Sequence, residues 1–456
     1  MKHLLMVAYQ FPPVGGSGVQ RTLKFVKYLP DNGWMPHVLT RDTGRMAQRD
    51  DTLMAEVPAG ADVMRTPAWD LTALPGKLAL AGKFIAWKLL VPDGEVLWMR
   101  GAAMKARKQL MAGGIDAVYS TSYPYSDHLI GLGLKQEFPE IPWIADFRDE
   151  WTNNPYLLDH PHPVWRMRRE KAMERAVLEH ADTLVTNSPG MKANFLTSYP
   201  GMDLENRMHV IPNGYDPDDF TVSDSSSTES KSTESSSTYP VSTGSVGFGE
   251  KTSAAVANDR LTLTYTGALY GRRKPDLFLE ALGRLVSEGR VGKDAFRVRL
   301  MGSYKPDAIR SLEQRNGLSG TILLDGYQPH GECLRAMAAS DALLLLEGGG
   351  PGAEAFFTGK VFEYIHTGRP ILAVVPENGA AAGVVRDTGT GIVCGCEDVR
   401  AIMDGFMRLH DAWKAHKPAC DPKPEMIGAY DRRVLTATLA GLLSGMFEGK
   451  TNSARV

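Results

Sequence analysis

Cysteine is scarce in this chain of 456 residues: four copies, at positions 333, 394, 396 and 420. Their spacing fits neither a zinc site nor a Cys-x-x-Cys redox pair. They read as reduced, partly buried thiols of a cytosolic protein. Net charge is also lacking, since 51 basic and 53 acidic residues leave −2. No overall field therefore attracts nucleic acid or acidic lipid, and no nucleic-acid partner is expected. Long apolar runs are missing too, because none approaches the roughly 18 residues of a membrane span. The apolar start Leu4–Tyr9 stops at Gln10 and meets Phe11-Pro12-Pro13, too short for the roughly 7–15 residues of a signal-peptide core. It reads as the first buried strand of a parallel sheet.

What remains is ordinary soluble composition, 43% hydrophobic and 23% charged, in a chain too long for one core. Short apolar strands alternate with helical stretches, the pattern of α/β domains. Strands are expected at Leu4–Tyr9, Pro36–Thr40, Ala117–Ser120, Trp143–Asp146, Thr183–Asn187 and Met208–Ile211. Helices are expected between them, at Val19–Leu29, Arg100–Ala112 and Trp165–His180 among others. From Thr221 to about Asn258, Ser and Thr dominate without any period, which predicts a disordered linker or insertion. The alternation resumes with strands at Leu261–Thr266, Arg297–Met301, Thr321–Leu324, Ala342–Leu346 and Ile371–Val375. The division is thus 1–220, 221–258, 259–430, and a tail 431–456 whose helix, Arg432–Phe447, is positioned to pack back across the boundary. Two tandem α/β domains predict a ligand cleft between the carboxyl ends of their sheets.

Two segments carry chemistry. The first strand leads into Gly15-Gly16-Ser17-Gly18 and a helix, where free amides favour phosphate or carboxylate. A dinucleotide fingerprint needs a third glycine where Arg21 stands, and that side chain is expected to disturb close helix–strand packing. Asp42 lies near the place of a ribose-binding acid, so the NAD reading is weakened rather than removed. The second segment is Phe357-Thr358-Gly359-Lys360-Val361-Phe362-Glu363-Tyr364, closed by Gly368-Arg369-Pro370. Lys360 and Glu363 stand one turn apart on one helix face. That pair suits a nucleotide, Lys for phosphate and Glu for ribose; the alternative is a surface ion pair.

With Phe11-Pro12-Pro13-Val14-Gly15-Gly16, Asp146-Phe147-Arg148-Asp149-Glu150-Trp151, Val210-Ile211-Pro212-Asn213-Gly214, Tyr265-Thr266-Gly267 and the Gly-Lys-x-Phe-Glu-Tyr helix in place, the chain resembles glycosyltransferase family 4 and its GT-B relatives. The resemblance covers nearly everything except the Ser/Thr tract. It implies two Rossmann-like domains facing each other across a cleft, a nucleotide-sugar donor, and a carbohydrate or lipid-linked acceptor. It implies front-face transfer with retention at the anomeric carbon, in cell-surface polysaccharide or glycolipid synthesis. Glu363 would bond the donor ribose, Arg273 or Arg272 and Lys360 would clamp the diphosphate, and Gly16, Ser17 and Gly18 would bring amides close to it. Asp146, Arg148 and Asp149 fall in the acceptor-side segment.

The chain departs from the family pattern at Ala355, where the first of two donor-site acids usually stands; the nearest acid is Glu354. Arg148 stands where a His is commoner. His128 offers either a cleft-facing group or a capping or core histidine. Asp216-Pro217-Asp218 sits in a loop start, so no essential metal and no bound cofactor are expected. The stretch 77–90, with Lys77, Lys83 and Lys88 among apolar residues, is basic and amphipathic. It suits either packing or peripheral contact with the inner face of a membrane. Two rivals remain: a nucleotide- or carbohydrate-binding protein that has lost catalysis, and an NAD-dependent sugar-nucleotide oxidoreductase or epimerase.

Overall fold

The computed structural model describes residues 1–44, 49–68, 82, 89–221 and 259–453. The Ser/Thr tract from 222 to 258 and nearly all of 77–90 lie outside the described residues. The chain divides into two compact units, 1–213 with 432–456, and 214–431.

In the first unit seven parallel strands form one sheet: β1 (Lys2–Val7), β2 (Trp34–Arg41), β3 (Asp62–Thr66), β4 (Ala117–Ser122), β5 (Trp143–Phe147), β6 (Thr183–Thr186) and β7 (Met208–Val210). Their order is β3-β2-β1-β4-β5-β6-β7. The sheet order reverses between β1 and β4, and such a reversal opens a crevice at the carboxyl ends of the strands. Strand side chains alternate, so β1 feeds two cores: Leu5 and Val7 pack on one face, Leu4 and Met6 on the other. That is why the N-terminal run reads as apolar throughout.

The helix Arg432–Ser453 belongs to this first unit. Leu435, Leu439 and Leu443, spaced by four, form a stripe that joins the core around β1. Phe447 closes the contact, with its ring centroid 5.9 Å from that of Trp34 and under the Lys2 ammonium. The boundary drawn at 220 from composition falls at 213/214 by packing, which puts the short helix Pro217–Thr221 in the second unit.

The second unit repeats the topology with six strands: β8 (Leu261–Thr266), β9 (Phe296–Met301), β10 (Ile322–Gly326), β11 (Ala342–Leu346), β12 (Ile371–Val375) and β13 (Gly391–Gly395). The order β10-β9-β8-β11-β12-β13 reverses between β8 and β11. Again the central strand feeds two cores, with Leu344 and Leu346 on one face and Leu343 and Leu345 on the other. Asp398 caps one helix of this unit, accepting from the amides of Arg400 and Ala401 to open Val399–Lys414. Its Ile402, Phe406 and Leu409 are buried.

Candidate active site

In the first unit the loop after β1 turns through Gly16 into the helix Ser17–Tyr28. Gly16 is exposed and Gly18 half-buried. Arg21 lies on this helix, 1% exposed. Its guanidinium meets Asp146 of β5 in a bidentate pair, Nε to Oδ2 at 2.7 Å and Nη2 to Oδ1 at 2.9 Å. Its Nη1 donates to the carbonyl of Pro212 at 2.9 Å. Tyr119 and Thr121 hydroxyls also donate to Asp146 Oδ2. Burial raises the pKa of Asp146, but Arg21 outweighs it and holds the carboxyl below its ordinary value. The expectation that Arg21 disturbs helix–strand packing is therefore corrected. A fully donating guanidinium meets a fully accepting carboxylate, so the side chain is taken into the core.

Arg148 follows β5 and ties three backbone carbonyls together, those of Gly18, Ser122 and Tyr123. Its own carbonyl accepts from Asn187 at 2.6 Å. Asp149, next in the chain, is half-exposed. His128 is fully buried, on the first turn of the helix Ser126–Glu137. Its Nδ1 is 2.8 Å from Ser120 Oγ, and its ring centroid is 4.4 Å from that of Phe147. Burial pushes its pKa down to about 3, which keeps it neutral near pH 7. Of the readings of His128, a cleft-facing group or a capping or core histidine, the structure gives the core one. Asp146, at 0% exposure with both oxygens engaged, is equally enclosed. Of the four acceptor-side candidates, only Asp149 and Arg148 reach partial exposure.

In the second unit the candidates converge at the carboxyl ends of β8 and β11. After Thr266 the chain passes Gly267 at φ 134°, and an added Cβ there would lie 2.5 Å from Lys360 Cε. The positive φ favours glycine here, and without a Cβ the Lys360 side chain crosses the loop closely. Lys360 opens the helix Lys360–His366 and is half-exposed. Tyr364 on the same helix is buried, and its hydroxyl accepts from the Thr266 amide at 2.9 Å. That bond fixes the helix to the end of β8.

The Arg273 guanidinium lies 5.5 Å from the ring centroid of Tyr270 and 5.4 Å from that of Phe356. Two aromatic faces thus hold one cation. Arg272 turns to the glycine loop, donating from Nη1 to the Pro351 carbonyl at 2.8 Å. A Cβ on Gly348 would lie 2.2 Å from the Arg272 carbonyl oxygen, so the glycines after β11 let the two loops touch. Arg272 and Arg273, alternatives in sequence, thereby separate: one braces the loop and the other lies between rings.

Sequence reasoning passed over Glu347, which follows β11 directly and is 6% exposed. Its Oε1 accepts from the Thr358 amide at 2.6 Å. Burial pushes its carboxyl up to about 7, against the pull of Arg273 and the Thr358 amide. The signal was present: an acid ending the apolar strand at the topological switch point. Glu354 is exposed on the turn Ala353–Ala355, and Ala355 is buried. Glu363 is half-exposed, and no ion pair joins it to Lys360, so the surface-pair alternative is not what forms. Among the described residues the Lys360 ammonium has no hydrogen-bond or ion-pair partner.

Two families match the chain in tandem. One, described as glycosyl transferase 4-like domain, matches residues 16–214, and the other, glycosyl transferases group 1, matches 260–412. The D-inositol 3-phosphate glycosyltransferase of Geodermatophilus obscurus is 27% identical over 279 residues, 56% of this chain and 53% of that protein. The match thus spans about half the length of that relative. Among solved structures, sucrose-phosphate synthase from Thermosynechococcus elongatus aligns with TM-score 0.62 at 14% identity, covering 98% of this chain and all of the other. WaaG, a glycosyltransferase involved in lipopolysaccharide biosynthesis, aligns with TM-score 0.60 at 15% identity, covering 97% of this chain and 100% of the other. UDP-GlcNAc 2-epimerase from Neisseria meningitidis aligns with TM-score 0.53 at 13% identity, covering 97% and 100%. At such identities the likeness carries the fold alone. The tandem family matches and the doubled Rossmann topology together make this chain a member of the family 4-like glycosyltransferases of GT-B architecture.

Proposed function

We propose that the protein transfers a glycosyl group from a nucleoside-diphosphate sugar to a hydroxyl acceptor, a growing polysaccharide or a glycolipid, with retention at the anomeric carbon. The observation that supports this best is the cluster at the carboxyl ends of β8 and β11. There two cations, Arg273 and Lys360, and one half-exposed acid, Glu363, sit within one unit, and no ion pair joins Lys360 to Glu363.

In this reading Arg273 and Lys360 bind the donor diphosphate and stabilise the charge that grows on the leaving nucleotide. Glu363 accepts from the ribose hydroxyls. Buried Glu347 keeps Arg273 between its two rings. No metal is needed, because the two side chains supply the positive charge, and chelator should leave turnover unchanged. Gly16, Ser17 and Gly18 offer backbone amides, and Asp149 with Arg148 forms the acceptor-side edge. Retention needs no strong base, since a leaving phosphate can itself take the acceptor proton. Among the described residues no helix is long and apolar enough to cross a membrane. The free cysteines support a reducing, cytoplasmic setting.

The test is thermal stabilisation by UDP, GDP, ADP and TDP, with Glu363→Ala alongside. A ligand at a hundred times its Kd should stabilise the fold by about 2.7 kcal/mol. One diphosphate should raise the wild-type midpoint and fail to raise that of the variant. No shift with any of the four would sink the donor-site assignment. Turnover of the matching nucleotide sugar then separates transfer from epimerisation, the chemistry of a protein sharing this fold, and from binding without catalysis.

A further inference from the structure

A third side chain stands against the donor residues. His330 opens the helix His330–Ala339 just after β10. Its Nε2 lies 3.9 Å from Glu363 Oε1 and 3.9 Å from Asp219 Oδ2, ion-pair rather than hydrogen-bond distances. Asp219 comes from the short helix Pro217–Thr221, against which the His330 helix packs. The three side chains are 31%, 21% and 18% exposed for His330, Glu363 and Asp219. They are neither core groups nor freely solvated ones.

The charged groups facing His330 are Glu363 and Lys360 from one helix and Asp219 from another. Burial opposes a charge on the imidazole, and Lys360 does so weakly. Glu363 and Asp219 outweigh both, so the pKa of His330 lies above its ordinary value.

The absent Lys360–Glu363 pair gives this triangle its meaning. A Lys and a Glu three residues apart on one helix face are within reach of each other. Had they paired here, each would neutralise the other before a nucleotide arrived. His330 instead supplies Glu363 with a cation at Oε1. Among the described residues no group hydrogen-bonds Oε2.

We infer that His330 is a positioning residue for the donor ribose: its imidazolium, braced by Asp219, holds Glu363 away from Lys360 and turned toward the ribose hydroxyls. This rests on the donor-site reading above. The Glu363 rotamer is then fixed before binding, so less ordering entropy is lost when the nucleotide arrives. As pH rises through the pKa of His330 the imidazolium is lost, Glu363 is freed toward Lys360, and ribose recognition weakens.

The experiment is calorimetric titration with whichever of UDP, GDP, ADP or TDP binds, and with its 2′,3′-dideoxy counterpart, from about pH 5.5 to 8.5 across the histidine range. The wild type should prefer the ribonucleotide, with the preference falling as pH rises. His330→Gln should lose about tenfold in ribonucleotide affinity, bind the dideoxy compound nearly as before, and show a flat pH profile. Asp219→Asn should keep the low-pH preference and move its loss to lower pH, an effect that a merely structural role would not produce. A His330→Gln protein with the wild-type preference and profile overturns the inference while leaving the donor site standing. A wild type that binds none of the four overturns the donor site itself.

Discussion

The two units share one strand order yet treat polar groups at the ends of their central strands in opposite ways. In the first, charges are consumed internally: Arg21 and Asp146 satisfy each other, and His128 is buried and neutral. In the second, Lys360, Glu363 and Arg273 are half-exposed, and no ion pair joins Lys360 to Glu363. The same topology therefore yields a buried, braced platform in one unit and a half-exposed set of charges in the other. A fold-level match cannot tell these apart, whereas the side chains do.

The largest expected effect breaks the braced side. Arg21→Met leaves Asp146 buried without its cation, which should cost about 3–5 kcal/mol in the unfolding of the first unit. Arg21→Met combined with Asp146→Leu should recover much of that loss, because no lone charge remains. Denaturant unfolding measures both, and a single variant as stable as wild type would show that the pair braces nothing. On the open side, Arg273→Ala should lower kcat by about a hundredfold or more with little change in stability, as expected for a lost charge stabiliser. A normal kcat with a melting point lowered instead would make Arg273 structural, and the contrast between the units would fail.

Acids sharpen the comparison further. Glu347 has its folded pKa raised to about 7 by burial, above the unfolded value. The native state then binds more protons between those values, and stability falls as pH rises through that window. Asp146 runs the other way: its pKa is lowered, so its contribution is present above the unfolded value and lost as pH falls. Glu347→Gln should remove up to about 3 kcal/mol of pH dependence between pH 4.5 and 7. Unfolding free energies of variant and wild type across that range check it, and parallel curves would count against a protonated Glu347.

How much of this was legible depends on whether a residue's role is written in its neighbours along the chain. The strands around β1 and β11 were readable because burial on both faces makes them continuously apolar. β3, with Asp62 and Arg65 at a sheet edge, and β13, with glycine at each end, carry no such run and were missed. The helix Lys360–His366 was readable because a glycine precedes it and Gly368-Arg369-Pro370 closes it. Arg21 with Asp146 was not, since their pairing crosses 125 residues, and Arg21 looked like a defect in a glycine motif. Glu347, His330 and Asp219 belong to three segments that only the sheet order and helix packing bring near Arg273 and Glu363.

The smallest expected effect falls at one point where the units solve the same problem differently. Each meets a backbone amide at or just past the end of its first strand with a helix side chain. In the first unit the Tyr9 amide donates to Asp127 Oδ2 at 2.8 Å; in the second the Thr266 amide donates to the Tyr364 hydroxyl at 2.9 Å. Burial pushes the Asp127 carboxyl well above its ordinary pKa, toward the neutral form that a phenol already has. Asp127→Asn keeps an acceptor and removes little charge, so it should change stability by less than about 1 kcal/mol. Tyr364→Phe removes the acceptor and strands a buried amide, at a cost of about 1–3 kcal/mol. If Asp127→Asn proves the costlier of the two in denaturant unfolding, the carboxyl is ionised and the first unit holds a charge it does not neutralise. The comparison between a self-satisfied unit and an open one would then lose its first half.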